Sequence, residues 1–172
     1  MRARTLLIMY SHHQGNTEKI AKCMAKVLDA PVKTPWQINP KELAEYDLIG
    51  FGSGIYSAKH HESLLELADR LPQANGKKAF LFSTDGTPRR LAKDNAILLK
   101  KMGNDHAALR EKLRSKGYEI AGEFNCGGYN TNSFLKYFGG LNKGRPDAKD
   151  LIDAAVFAQG LMENAEIRGT GR

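Results

Sequence analysis

Four stretches of the chain are apolar with little interruption: Thr5–Tyr10, Leu48–Phe51, Ala79–Phe82 and, with more alternation, Tyr118–Phe124. Short continuous runs of this kind suit strands buried on both faces. A weaker strand is expected within Pro31–Ile38. Between the runs the apolar period changes to that of a helix. Ile20, Cys23, Met24, Val27 and Leu28 share one helical face, as do Leu64, Leu65, Ala68 and Leu71. Leu109 with Leu113, and Leu151, Ile152, Ala155, Val156 and Ala158, repeat the pattern downstream. Pro146 followed by Asp147 marks the start of the last helix, since proline is tolerated there and aspartate caps. Five strands alternating with helices predict an α/β fold, an open parallel sheet with helices on both faces. Right-handed crossovers then bring every strand's carboxyl end to one edge, where such sheets bind ligands beside a topological switch point.

Composition narrows this picture without changing it. At 172 residues, 41% hydrophobic and 26% charged, the chain fits a single globular domain over 1–172 and excludes collagen-like, coiled-coil and disordered classes. The final stretch, 163–172, is expected to fray. No run approaches the roughly 18 apolar residues of a membrane span, and the apolar run after the basic Met1–Arg4 start is too short for a secretory signal. The two cysteines, Cys23 and Cys126, share no metal or redox spacing. A soluble, cytoplasmic protein is expected.

The net charge of +7 is concentrated, because residues 77–116 hold 11 basic and 4 acidic side chains while the rest is near neutral. Such a block is either a solvated helix surface or a docking face for an acidic partner or anionic ligand. It lacks interleaved aromatics, which disfavours nucleic acid.

The loops at the carboxyl edge carry the chemistry. After the first strand, Ser11-His-His-Gln-Gly-Asn-Thr17 leads into a helix. It has neither the GxGxxG of a dinucleotide turn nor the GK-Ser/Thr of a triphosphate loop, and no acidic metal ligands of a phospho-receiver. Backbone N–H groups at a helix start, with the Ser11 and Thr17 hydroxyls, suit a phosphate held without lysine. A single such unit suits a mononucleotide.

The segment Tyr10-Ser-His-His-Gln-Gly-Asn-Thr-Glu-Lys-Ile-Ala21 resembles the phosphate loop of flavodoxins. Tyr10, Gly15, Thr17 and Ala21 fall on that family's pattern. His12 occupies its first hydroxyl position, with Ser11 one place earlier. The resemblance implies a flavodoxin-like, doubly wound five-stranded parallel sheet of order 2-1-3-4-5. It also implies noncovalent FMN, with Ser11, His12, His13, Gln14, Gly15, Asn16 and Thr17 around the phosphate. The loop after the third strand would bring Ser53, Gly54, Ile55, Tyr56 and Ser57 to the flavin, with Tyr56 facing the ring and Ile55 as second choice. Ser83, Thr84, Asp85 and Gly86, after the fourth strand, would edge its pyrimidine side, and Gly86 would give that backbone freedom to turn.

Three features stay open at the sequence level. Cys126 is either redox-active near the flavin or a small core residue. The stretch Gly139-Gly-Leu-Asn-Lys-Gly-Arg-Pro146 reads as a glycine-rich connection without assigned chemistry. His12, His13, His60 and His61 flank two of the flavin loops, as ligand contacts or as solvent-exposed side chains, and no HExxH-type metal motif is present. The resemblance implies an electron carrier between redox partner proteins. Flavodoxins are usually acidic, so the basic 77–116 block points to an acidic partner. The alternative is an FMN-dependent oxidoreductase. Ile55-Tyr56 followed by His60-His61 resembles the loop of quinone-linked protoporphyrinogen dehydrogenases of the same fold, and a quinone reductase is equally allowed.

Overall fold

The computed structural model describes residues 3–169 except 13, 90–93, 132–134, 136 and 138, and excluding the side chains of 165–169. The strands are β1 Thr5–Tyr10, β2 Val32–Lys33, β3 Leu48–Tyr56, β4 Lys59–His60, β5 Lys78–Asp85 and β6 Glu119–Gly127. The helices are α1 Asn16–Leu28, α2 Glu62–Arg70, α3 Asn95–Ser115 and α4 Ala148–Gly169. Five strands run parallel in the order β2-β1-β3-β5-β6, which is the expected 2-1-3-4-5 once the added β4 is counted.

Alternation along the strands divides the core in two. Leu6, Ile8, Ile49, Phe51 and Leu81 pack under α2 and α3. Leu7, Leu48, Phe80 and Phe82 point the other way, against Ile20, Met24 and Leu28 of α1 and Ala154, Ala158 and Leu161 of α4. Phe51, Phe80 and Phe82 are fully buried, and each contributes about 2 kcal/mol by leaving water.

Several elements differ from the sequence expectation. The strand sought in Pro31–Ile38 shrinks to Val32–Lys33, because Pro35 and Pro40 each open a 3-10 turn, Pro35–Gln37 and Pro40–Glu45. β3 and β5 run on into the loops assigned to them, to Tyr56 and Asp85. β3 then turns back through Ser57 and Ala58, both left-handed (φ 50° and 59°), and β4 pairs antiparallel with its end through Ile55↔His60 and Tyr56↔Lys59. Two positive φ values in a two-residue connection define a type I′ hairpin. α4 starts as expected: the Asp147 amide donates to Asp150, and the Asp150 amide donates back to Asp147. This reciprocal cap satisfies two donors of the first turn. The helix continues to Gly169, beyond Glu163, and residues 170–172 lie outside the described part. Among the described residues no helix is long and apolar enough to cross a membrane.

Candidate functional site at the carboxyl edge of the sheet

α1 begins without a side-chain cap. Gln14 (φ 52°) and Gly15 (φ 65°) are both left-handed, so the chain turns sharply from β1 into the helix. Glycine suits the capping position geometrically and has no side chain to bond the first amides. Those donors therefore have no partner from the cap. Two buried polar atoms nearby also lack one, Ser11 Oγ and Asn16 Oδ1. Asn16 is fixed by its other end, since Nδ2 donates to the Tyr129 carbonyl at 2.8 Å. The Thr17 hydroxyl meets that of Thr84 across the sheet at 2.9 Å, both buried.

Asn16 and Thr17 open on a shallow cleft of about 70 Å³, and Ser11 lies beside it without lining it. The turn after β1 contributes His12, Asn16 and Thr17; the end of β3 contributes Gly54, Ile55 and Tyr56. Thr84, Asp85 and Gly86 come from β5 and the turn after it, and Gly128, Tyr129 and Asn130 from the segment after β6. Asn130 closes tightly over Gly86, where a Cβ would lie 2.5 Å from its Nδ2. Gly86 is thus required for that close approach, and it is not among the positive-φ glycines.

Tyr56, which lines the cleft, is backed by an aromatic cluster. Tyr10 stacks on His61 with ring centroids 3.6 Å apart, and Tyr56 meets the same imidazole edge-on at 5.2 Å. Trp36 packs edgewise on Tyr10 at 5.6 Å. His61 also caps α2, its Nδ1 accepting from the Ser63 amide. Burial, followed by the neighbouring Tyr10, pushes the Tyr56 phenol up, and burial pushes His61 down. Both rings are therefore neutral at pH 7, which suits a flat, weakly polar ligand surface.

Asp85 is the one carboxylate among the described lining residues. Arg89 pairs with it at 3.1 Å and Lys101 stands at 3.8 Å. The Thr87 amide donates to its other oxygen. The negative charge is compensated before any ligand arrives.

Ser53 and Ser83 are not brought to the cleft. Strand alternation places them with Phe51 and Leu81 on the α2/α3 face, where they join a closed polar network. Ser53 Oγ donates to the Gly54 carbonyl at 2.7 Å and accepts from the His61 amide, so the His60 Nδ1 at 2.9 Å serves as donor. This leaves His60 Nε2 as a buried acceptor without a partner. Ser83 Oγ accepts from Asn125 at 2.8 Å and lies 2.7 Å from His106 Nε2. On its far side, His106 Nδ1 is 3.0 Å from Glu123, which Arg110 also holds. The two fully buried imidazoles, His60 and His106, stand 4.7 Å apart. Burial, then the proximity of His106, pushes His60 well below its usual value. Burial pushes the Glu123 carboxyl up, yet the hydrogen bonds from His106 and Arg110 outweigh it and hold Glu123 at about 2.

Of the other expected contacts, Ser57 sits at the hairpin turn and is exposed. Gln14 and Gly15 shape the turn between β1 and α1 without lining the cleft, and His13 lies outside the described residues. Cys126 is buried in the α1/α4 core, and burial pushes its thiol up, so it packs as a neutral side chain. Among the described residues no three His, Cys, Asp or Glu side chains converge as a metal site would require. Gly128–Asn130, in the Cys126–Thr131 segment that follows the last strand at the same edge, line the cleft although the sequence assigned them no contact. Their signal was a Gly-Gly turn after that strand.

A family model described as a flavodoxin domain matches residues 7–130, which span β1 through the turn after β6. The chain belongs to the flavodoxin family. An uncharacterized protein of Methanocaldococcus jannaschii is 45% identical over 161 residues, covering 94% of this chain and 99% of its own. Flavodoxin 2 from Bacillus cereus superposes with a TM-score of 0.65 at 20% identity, over 94% of this chain and 99% of that one. A flavodoxin from the domain Archaea gives 0.59 at 16% identity, with the same coverage. At such identities these structural likenesses speak for the fold.

Proposed function

We propose that the chain binds FMN noncovalently in this cleft and carries electrons between redox partners in the cytoplasm. The observation that carries the reading is the pair of unpartnered buried atoms, Ser11 Oγ and Asn16 Oδ1, beside the uncapped start of α1. A buried polar atom left without a partner costs about 1–3 kcal/mol, and a phosphate with a polyol chain supplies partners of the right kind. The Ser11 hydroxyl and the first amides of α1 would donate to the phosphate, with Thr17 poised by Thr84. Asn16 Oδ1, an acceptor, suits a ribityl hydroxyl. Tyr56, held by His61, would face the ring, and the backbone of Thr84–Gly86 and Gly128–Asn130 would edge it. Bound FMN would supply the electron-accepting chemistry. The chain would orient the cofactor and exclude water from one of its faces.

Redox partners are proposed to dock on the basic region 77–116. Much of that charge is internal: Lys101, Arg110 and Lys112 pair with Asp105, Glu123 and Asp69. Exposed Lys100, beside exposed Ile97 and Leu99, and exposed Arg114 at the far end of α3 remain for an acidic partner. The second reading, an FMN-dependent oxidoreductase acting on a quinone or a related substrate, is favoured by the cavity that adjoins the cleft across a single backbone bridge.

Titration of apoprotein with FMN, followed by quenching of flavin fluorescence, tests the binding step. Saturation at one equivalent is expected, and the absence of uptake would end the proposal. Steady NAD(P)H–quinone turnover by the loaded protein would favour the enzyme over the carrier.

A further inference from the structure

A second cavity, of about 980 Å³, lies behind the cleft and is lined by Pro88, Arg89, Leu141, Asn142, Lys143 and Arg145, with Asp147 at its side. The wall between the two is one backbone bridge thick. Asn130, which lines the cleft, exchanges both hydrogen bonds with Leu141, which lines the cavity, at 2.9 and 2.8 Å. The Asp85–Arg89 ion pair spans the same wall, with the acid on the cleft side and the guanidinium on the other.

The cavity is built by specific contacts. Asn142, left-handed at φ 55°, donates from its side chain to the Thr87 carbonyl at 2.8 Å and accepts from the Arg89 amide at 3.2 Å. It thereby ties the 139–146 segment to the turn after β5. The stems of Arg89 and Arg145 both lie over Gly127, where a Cβ would stand 3.0 Å from each. The Tyr129 amide donates to the Arg145 carbonyl.

The lining is cationic and only partly compensated. Arg89 bonds Asp85 and Asn125 through Nη2, and its buried Nε has no hydrogen-bond partner. Arg145 reaches Asp147 and Asp150 at 3.4 Å each, beyond the roughly 2.7–2.9 Å of a charge-assisted bond. Lys143 is exposed and has no ion pair among the described residues. Pro88 and Leu141 add apolar surface between these charges. The volume lies at the upper end of the roughly 300–1,000 Å³ range of small-molecule sites, and a concave pocket does not fit the convex surface of a protein partner.

We propose that this cavity binds a small organic anion, a carboxylate, sulfonate or phosphate head on a flat apolar body, with Arg145 and Lys143 taking the head and Leu141 and Pro88 the body. The flavin reading of the neighbouring cleft gives the site its meaning, but binding here does not require it.

The test uses 2-naphthoate and its neutral counterpart 2-naphthamide as probes, titrated by amide NMR into the full chain with and without FMN. Saturable shifts at Leu141–Arg145 are expected, with the amide binding about tenfold more weakly. Lys143→Glu, an exposed position, should weaken the naphthoate about fivefold, and Arg145→Gln about tenfold. FMN quenching by Lys143→Glu protein should match that of the unmodified protein. Equal affinity for the two probes, no effect of Lys143→Glu, or shifts at Gly54–Tyr56 instead would each overturn the assignment. Naphthoate binding at Leu141–Arg145 without any FMN uptake would overturn only the flavin reading. FMN uptake without naphthoate binding would overturn only this one.

Discussion

The carboxyl edge of the sheet carries hydroxyls and imidazoles on both faces, but the two sides treat them differently. On the α2/α3 side, Ser53, His60, Ser83, His106, Asn125, Glu123 and Arg110 bond mainly to one another, and only His60 Nε2 is left over. On the α1 side, Ser11 Oγ and Asn16 Oδ1 have no partner, and the helix start above them is uncapped. The same residue types thus act as structure where their bonding is closed and are left available to a ligand where it is open. A serine at a strand end says nothing by itself about which it is; the face it occupies decides.

The largest effect expected from breaking this contrast is His106→Ala. It removes a buried ring and one hydrogen bond each from Ser83 and Glu123, and should destabilise the fold by about 3 kcal/mol. Urea unfolding of the apoprotein measures this, while FMN affinity should stay within about twofold. A drop in affinity that exceeds the stability loss would show that the closed network belongs to the site.

Thr17→Val is the converse experiment. It keeps the shape and deletes the hydroxyl that meets Thr84, so FMN affinity should fall about tenfold. Apoprotein stability should fall by about 1–2 kcal/mol, because the buried Thr84 hydroxyl loses its partner, and FMN affinity should fall beyond that loss. If stability falls and FMN binding does not, the roles of the two faces are reversed.

The smallest effect is a pH dependence. His60 titrates below its usual value of 6.5 in the fold, so the unfolded chain binds more protons there, and its contribution is full above pH 6.5 and declines below it. Glu123, held at about 2 against 4.5, contributes fully above pH 4.5 and loses that contribution as the pH falls towards 2. Stability should therefore decline in two stages on acidification. His60→Gln should shrink the upper stage to the share contributed by His61 and leave the lower one, as seen in unfolding midpoints collected from pH 7 to pH 3. A single unchanged profile in His60→Gln would place the upper titration elsewhere.

The parallel core was legible because strands buried on both faces leave uninterrupted apolar runs, as at Thr5–Tyr10 and Ala79–Phe82. Strand ends were not. Gly52-Ser-Gly-Ile-Tyr reads as loop by composition, and the hairpin that follows turns through Ser57 and Ala58 rather than the Asn-Gly pair that announces such a turn. The first half of α3 carries no buried stripe, with Ile97 and Leu99 exposed, so only Leu109 and Leu113 betrayed the helix. At the site, the positions nearest α1 could be found because helix start, glycine and hydroxyl stand together in sequence. His106 could not, since it meets His60 and Glu123 only through tertiary packing. Asn130 was hidden for the same reason, its place over Gly86 being set by the path of the chain after β6.

The hairpin between β3 and β4 has one more consequence. In many ligand sites the group that covers a planar ring sits on a loop that must close, and part of the affinity is consumed in stilling it. Here Tyr56 is the last residue of a hydrogen-bonded strand, clasped from behind by Lys59 and braced by the His61 imidazole. On the flavin reading proposed above, the ring would be received by a surface already at rest, and its arrival and departure would need no gate.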